Sequence, residues 1–199
     1  MMRIAVCGGI GSGKSTICDL FAERGVAIYD SDSRAKALMS ESEELRNKII
    51  EAFGAESYNG VELNRAYLAK MVFGDAKQLA ALNAIVHPAV ITDFEAWAEA
   101  QEGAYCIVES AILFESGLSN AVDKVVAVLA PLSLRIERAM QRDGATKEQI
   151  EARIKSQMGD DELMRRADFA IVNIHLEDVE KDVAELDYRF KMMGNAQTR

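Results

Sequence analysis

The chain has 199 residues, 49% of them hydrophobic and 28% charged, with 13 Gly and 2 Pro, which excludes a disordered or collagen-like polymer. At this length one core hides roughly 70% of the surface of the open chain, so neither a disulfide framework nor a structural metal is required. The 23 Lys and Arg stand against 32 Asp and Glu, a net charge of −9 that argues against a nucleic-acid partner, since backbone affinity comes from clustered cations.

Five short apolar, β-branched runs read as strands: residues 4–7, 26–29, 105–108, 124–129 and 169–172. They are apolar on both faces and spaced for helical crossovers, the pattern of a parallel sheet covered by helices on each side, so the class is α/β. The N-terminal run is too short for a signal-peptide core, and the longest apolar run, 125–132, falls far below the roughly 18 residues of a membrane span; no membrane partner is expected. Cys7, Cys18 and Cys106 are odd in number and form no Cys-x-x-Cys pair, which predicts buried thiols in a reducing, cytoplasmic setting.

The first crossover places Ile17, Leu20 and Phe21 on one helical face and stops at Gly25, so strand, glycine-rich turn, helix and strand form a βαβ unit of about thirty residues. About seventy residues that read as entirely helical separate the second and third strands, an excess expected to be a substrate-binding insertion. Within it, Ser40 and Glu43 offer a capping box for a helix ending at Gly54, and Pro88 is expected to kink or split the long stripe Leu79, Leu82, Ile85, Val86, Val90, Phe94 and Trp97. Residues 133–166 turn highly charged: one helix ends at Gly144 and another opens with the capping box Thr146-x-x-Gln149, a pair that reads as a mobile lid. The last helix carries Leu176, Val179, Val183, Leu186, Phe190 and Met193, a stripe for covering a sheet or, alternatively, a coiled-coil seam.

Gly8-Gly9-Ile10-Gly11-Ser12-Gly13-Lys14-Ser15 fits the phosphate-loop pattern G-x-x-x-x-G-K-[ST] and lies between a predicted strand and helix, the context the motif requires. Glycines let backbone N–H groups turn toward an anion, the helix start adds its positive dipole end, Lys14 neutralises the β and γ phosphates, and Ser15 is placed to ligate Mg²⁺. A purine nucleoside triphosphate with Mg²⁺ is therefore expected. No Asp-x-x-Gly or Asn-Lys-x-Asp occurs, so the switch and guanine-reading elements of a GTPase are missing, and a small-molecule kinase remains.

Such a kinase needs an acid at the acceptor hydroxyl, cations for the transferring phosphoryl group and a cover against water. Asp30-Ser31-Asp32 ends the second strand, where ligands of open α/β folds bind; either acid could instead cap a helix beginning near Ser33. Glu109 ends the third strand, beside the expected metal or as an ordinary strand-end acid. Arg135, Arg138, Arg142, Lys147, Arg153 and Lys155 in the lid are either a solvated face or a clamp for the γ phosphoryl group. Tyr58, Tyr67 and Trp97 could stack on a base, although aromatics in helical stripes are more often core.

These residues resemble the dephospho-CoA kinase family over nearly the whole chain. The resemblance rests on the phosphate loop with Thr16, Asp30-x-Asp32, Leu82-Asn83-x-x-x-His87-Pro88, Leu113-Phe114-Glu115, Arg138-x-x-x-Arg142-Asp143, Arg153-Ile154-x-x-Gln157 and Ala167-Asp168 leading to Val172-Asn173. It implies ATP-dependent phosphorylation of the ribose 3′-hydroxyl of dephospho-CoA, giving coenzyme A and ADP. The implied fold is a P-loop nucleotide-kinase-like, parallel five-stranded sheet of order 2-3-1-4-5 flanked by helices. It implies a single kinase domain made of a core (about 1–31, 104–132 and 167–199), a helical substrate-binding insertion (about 32–103) and a lid (about 133–166).

By the same resemblance Asp32 is the base, Lys14, Arg138 and Arg142 act on the transferring phosphoryl group, and Gly9, Gly11, Ser12, Gly13, Lys14, Ser15, Thr16 and Arg142 hold ATP. Asp32, His87 and Glu115 are expected at the substrate, Ser15 at Mg²⁺ and Glu109 just behind the metal; His87 could equally satisfy a carbonyl freed by Pro88. Many family members carry Asp-x-Pro-Leu-Leu-x-Glu after the third strand, where this chain retains an acid as Glu109 and has Ala111 in place of the proline. The alternatives are a nucleoside or nucleotide kinase of similar architecture and a non-catalytic ATP-binding module, with the chain a monomer or weak homo-oligomer.

Overall fold

A computed structural model describes residues 1–197. The last two residues of the expected core segment, Thr198 and Arg199, lie outside them. In chain order the elements are β1 (Met2–Cys7), α1 (Lys14–Ala22), β2 (Ala27–Asp30), α2 (Ser31–Glu41), α3 (Glu43–Phe53), β3 (Tyr58–Asn59), β4 (Glu62–Leu63), α4 (Arg65–Val72) and α5 (Ala76–Glu99). They continue with β5 (Tyr105–Ser110), β6 (Lys124–Leu129), α6 (Leu132–Asp143), α7 (Lys147–Lys155), α8 (Asp160–Arg166), β7 (Phe169–Val172) and α9 (Leu176–Gln197). The chain divides into two compact units, one made of Met1–Asp30 and the chain from Trp97 onward, the other of Ser31–Ala96.

The first unit is built on one sheet of order β2-β5-β1-β6-β7, all parallel, with Met2 opposite Tyr105 and Ile4 opposite Lys124. Counting only these five strands along the chain, the order is 2-3-1-4-5, as expected. The three central strands, β1, β5 and β6, are buried on both faces because crossover helices cover them, which is why their sequences are continuous apolar runs rather than alternations, whereas the edge strand β7 leaves Ala170 and Val172 exposed. On one face Ile4, Val6, Ile107, Val126, Val128 and Ile171 meet Ile17 and Phe21 of α1 and Val179, Val183, Leu186 and Phe190 of α9. The terminal stripe thus covers the sheet. Phe190 stacks on Phe21 and meets Tyr105 and Phe169 edge-on, with ring centroids 5.3–6.3 Å apart.

The second unit departs from the sequence expectation in four places. It is not entirely helical: β3 and β4 form a hairpin closed by Gly60-Val61, and Gly60, with φ +67°, supplies the positive φ that so tight a turn requires. The cap of α3 is Ser42 rather than Ser40, its side chain accepting from the Leu45 N–H at 3.2 Å, because α2 runs on to Glu41 and absorbs Ser40. Pro88 does not split α5, which runs unbroken for 24 residues. Proline removes a single N–H from that ladder, while buried Val86, Val90 and Phe94 fix the face on both sides of it. Helix α2 also starts at Ser31, two residues before the expected point, which puts Asp32 in its first turn and Asp30 just ahead of it. In the first unit the charged segment holds three helices rather than two, since the acidic start Asp160, Asp161, Glu162 opens α8.

Candidate active site

Strand β1 delivers the chain to the phosphate loop at the carboxyl edge of the sheet, and α1 begins at Lys14, directly after the cap residue Gly13. Gly13 has φ +90°, and a Cβ there would lie 2.0 Å from Asn173 Nδ2, so both conformation and space demand glycine. Asn173, buried at the end of β7, donates from that amide to the Ser12 carbonyl at 2.9 Å. The Ser12 side chain is fully buried and its Oγ has no hydrogen-bond partner among the described residues, so the hydroxyl is not presented to a ligand.

Ser15, in the first turn of α1, donates from Oγ to Glu109 Oε1 at 2.9 Å. The parallel register of β1 and β5 sets Val6 opposite Glu109, which brings this strand-end acid to the start of α1. The two expected metal-side residues thus converge. Hard oxygen donors of this kind suit Mg²⁺, which typically takes one or two protein oxygens and completes its shell with phosphate and water. No cluster of three or more His, Cys, Asp and Glu able to hold a metal occurs among the described residues. Glu109 also faces Cys18, whose thiol pKa rises through burial and then through that negative charge; burial likewise pushes Cys7 up to about 12 and Cys106 up to about 11. All three cysteines are buried and reduced.

The charged helices distribute their cations unequally. Arg138 Nη1 donates to the Asn173 carbonyl at 3.1 Å, beside the residue that holds Ser12. Arg142 and Arg153 share Asp143, at 2.8 and 2.9 Å, which lowers the Asp143 pKa and raises that of Arg142; the Glu109 charge adds to the rise at Arg142. Arg135 is neither a solvated face nor an open clamp: its side chain is 4% exposed and bound to Asp160 and to the Ile10 carbonyl. Glu115 accepts from the Met158 N–H at 3.0 Å, and the Ala111 carbonyl, where the family proline is replaced, accepts from Gln157 Nε2 at 3.4 Å.

Asp32 and His87 belong to the other unit. Asp32 is exposed in the first turn of α2. Arg34 ties α2 to α5 through both Asp93 oxygens, at 2.9 and 3.1 Å, so the helices carrying Asp32 and His87 are fastened together. His87 is half-buried, and burial alone lowers its pKa. Of the aromatics considered for base stacking, Tyr58 and Tyr67 donate to the carbonyls of Met39 and Phe53 and Trp97 packs on Tyr29, all structural contacts. Asn173, Gln157 and the Arg135–Asp160 pair received no individual role from the sequence, for their partners are 25 to 161 residues away.

Comparison with known proteins agrees with this geometry. Residues 2–178 match the family model for dephospho-CoA kinase. The chain is 44% identical over 191 residues to a dephospho-CoA kinase of Salinibacter ruber, covering 94% of this chain and 96% of that one. Among solved structures it superposes on TT1252 from Thermus thermophilus with a TM-score of 0.79 and 34% identity, covering 94% and 97% of the two chains. A shikimate kinase from Acinetobacter baumannii shares the fold alone, at 17% identity and a TM-score of 0.59, with 96% and 95% covered. With the family model spanning most of its length and a relative this similar end to end, the chain belongs to the dephospho-CoA kinase family.

Proposed function

We propose that the protein transfers the γ phosphoryl group of ATP to the ribose 3′-hydroxyl of dephospho-CoA, giving coenzyme A and ADP. The observation that carries this reading is the phosphate loop with Ser15 bonded to Glu109, in a chain matched to this family over residues 2–178. Gly9, Gly11, Ser12, Gly13 and Thr16 would hold the ATP phosphates, chiefly through backbone N–H groups, with Lys14 neutralising the β and γ phosphates. Ser15 would hold Mg²⁺ and Glu109 would stand behind it; the ion would supply positive charge to offset that of the ATP phosphates. Arg138 and Arg142 would stabilise charge on the transferring group, and residues 133–166 would close over it as a lid.

Asp32 would accept the hydroxyl proton, since phosphoryl transfer passes through a loose transition state that asks little of the base. His87 and Glu115 would contact the dephospho-CoA. We take the protein to be cytoplasmic, in line with its buried thiols, without a nucleic-acid partner, and a monomer or weak homo-oligomer, in line with the use of the α9 stripe in its own core. No helix among the described residues is long and apolar enough to cross a membrane.

The test is ADP release from the purified protein with Mg²⁺ and ATP, comparing dephospho-CoA, AMP, adenosine, shikimate and no acceptor. Release dependent on dephospho-CoA, with a product bearing a new 3′-phosphate, is expected. Preference for AMP or adenosine would make it a nucleotide or nucleoside kinase, and acceptor-independent or absent release would make it a binding module. In the same assay Asp32→Asn should keep ATP affinity while turnover falls at least about a hundredfold. Wild-type turnover in that variant would remove Asp32 as the base.

A further inference from the structure

We infer that Arg135 and Asp160 are positioning residues, a clasp that fixes the Ile10 peptide and thereby sets the affinity of the phosphate loop for nucleotide. The inference rests on the reading that this loop binds ATP. Ile10 is held from three sides. Its carbonyl accepts from Arg135 Nε at 3.0 Å, its N–H donates to Gln157 Oε1 at 2.8 Å, and its side chain packs on Ile136, Ala139 and Ile150 of α6 and α7. The Arg135 Nη1 donates to both Asp160 oxygens, at 2.8 and 3.1 Å. The guanidinium lies so close to the loop that a Cβ at Gly9 would stand 1.8 Å from Nη2.

A loop rich in glycine loses the most freedom on ordering, and Ile10 sits between Gly9 and Gly11. If nothing held Ile10, nucleotide binding itself would have to order the loop, and affinity would fall by that cost. The clasp supplies the order beforehand. A guanidinium this buried keeps its geometry only while its carboxylate partner remains, so Asp160, although 41% exposed, controls a bond it does not make. The opposite reading is that Arg135 is a phosphate cation restrained by Asp160. It predicts the opposite sign, because removing the acid would then free a cation for the phosphates.

Titration of the full chain with ADP and Mg²⁺ separates the two and needs no turnover, so it holds whichever acceptor the enzyme uses. Asp160→Ala, at the more exposed end of the pair, should weaken ADP binding by about tenfold, the scale of one lost charged hydrogen bond. Asp160→Glu, which restores the carboxylate, should recover it to within about threefold. In turnover the KM for ATP should follow the ADP affinity, while kcat and the KM for dephospho-CoA stay within about twofold. Unchanged or tighter ADP binding in Asp160→Ala, even with a lowered melting temperature, would overturn the proposal: the pair would then be only a structural ion pair or a brake on a phosphate cation.

Discussion

Residue by residue, the site divides into groups whose neighbours in sequence define them and groups whose neighbours come from afar. Lys14 and Ser15 are legible because the phosphate loop is a local pattern whose chemistry follows from eight consecutive residues. Arg135 is not, since a charge count cannot distinguish a buried arginine bound to Asp160 from the exposed Arg142 two turns further on. His87 gives a residue-scale prediction. Burial lowers its pKa from 6.5, so between that value and the lower native one the unfolded chain binds more protons than the folded chain. Stability should therefore fall as pH drops below about 6.5, with the loss levelling off below the native pKa. Urea midpoints at pH 7.5 and 5.5 should show a smaller loss for His87→Gln than for wild type; equal losses would remove this contribution.

Among elements, boundaries follow caps where the cap competes with nothing. The box at Thr146 forms as expected, Thr146 accepting from the Gln149 N–H at 3.4 Å while Gln149 Oε1 accepts from the Thr146 N–H at 3.0 Å. Thr146→Ala should cost about 1 kcal/mol in urea unfolding, and an unchanged midpoint would show α7 to be held by Ile150 packing alone. Ser40 shows the converse: an equally good local signal loses because α2 extends through it and Ser42 takes over. Pro88 likewise breaks a local rule inside a helix whose buried face continues past it. The β3–β4 hairpin escapes sequence reading because two-residue strands give no periodicity to read.

For the molecule as a whole, α1 and α9 hold the sheet through a shared aromatic cluster. Phe190 touches Phe21, Tyr105 and Phe169, which come from three different elements, so truncating it opens a cavity at the centre rather than at an edge. Phe190→Ala should cost about 3–5 kcal/mol and shift the whole unfolding transition, with near-UV circular dichroism and fluorescence moving together. A small cost, or separate transitions for the two probes, would mean that α9 is docked independently of the sheet.

The sequence by itself determined the α/β class, the five strands and the phosphate loop, because each rests on runs of residues whose period or spacing is local, and it pointed to the family through motifs spread along the chain that resemble that family's. Only the tertiary structure decided that Glu109 meets Ser15, that Asn173 braces Ser12, and that Arg135 and Gln157 grip Ile10. These contacts join residues 94, 161, 125 and 147 positions apart, and their geometry is set by how the crossovers return each strand end to the same edge of the sheet.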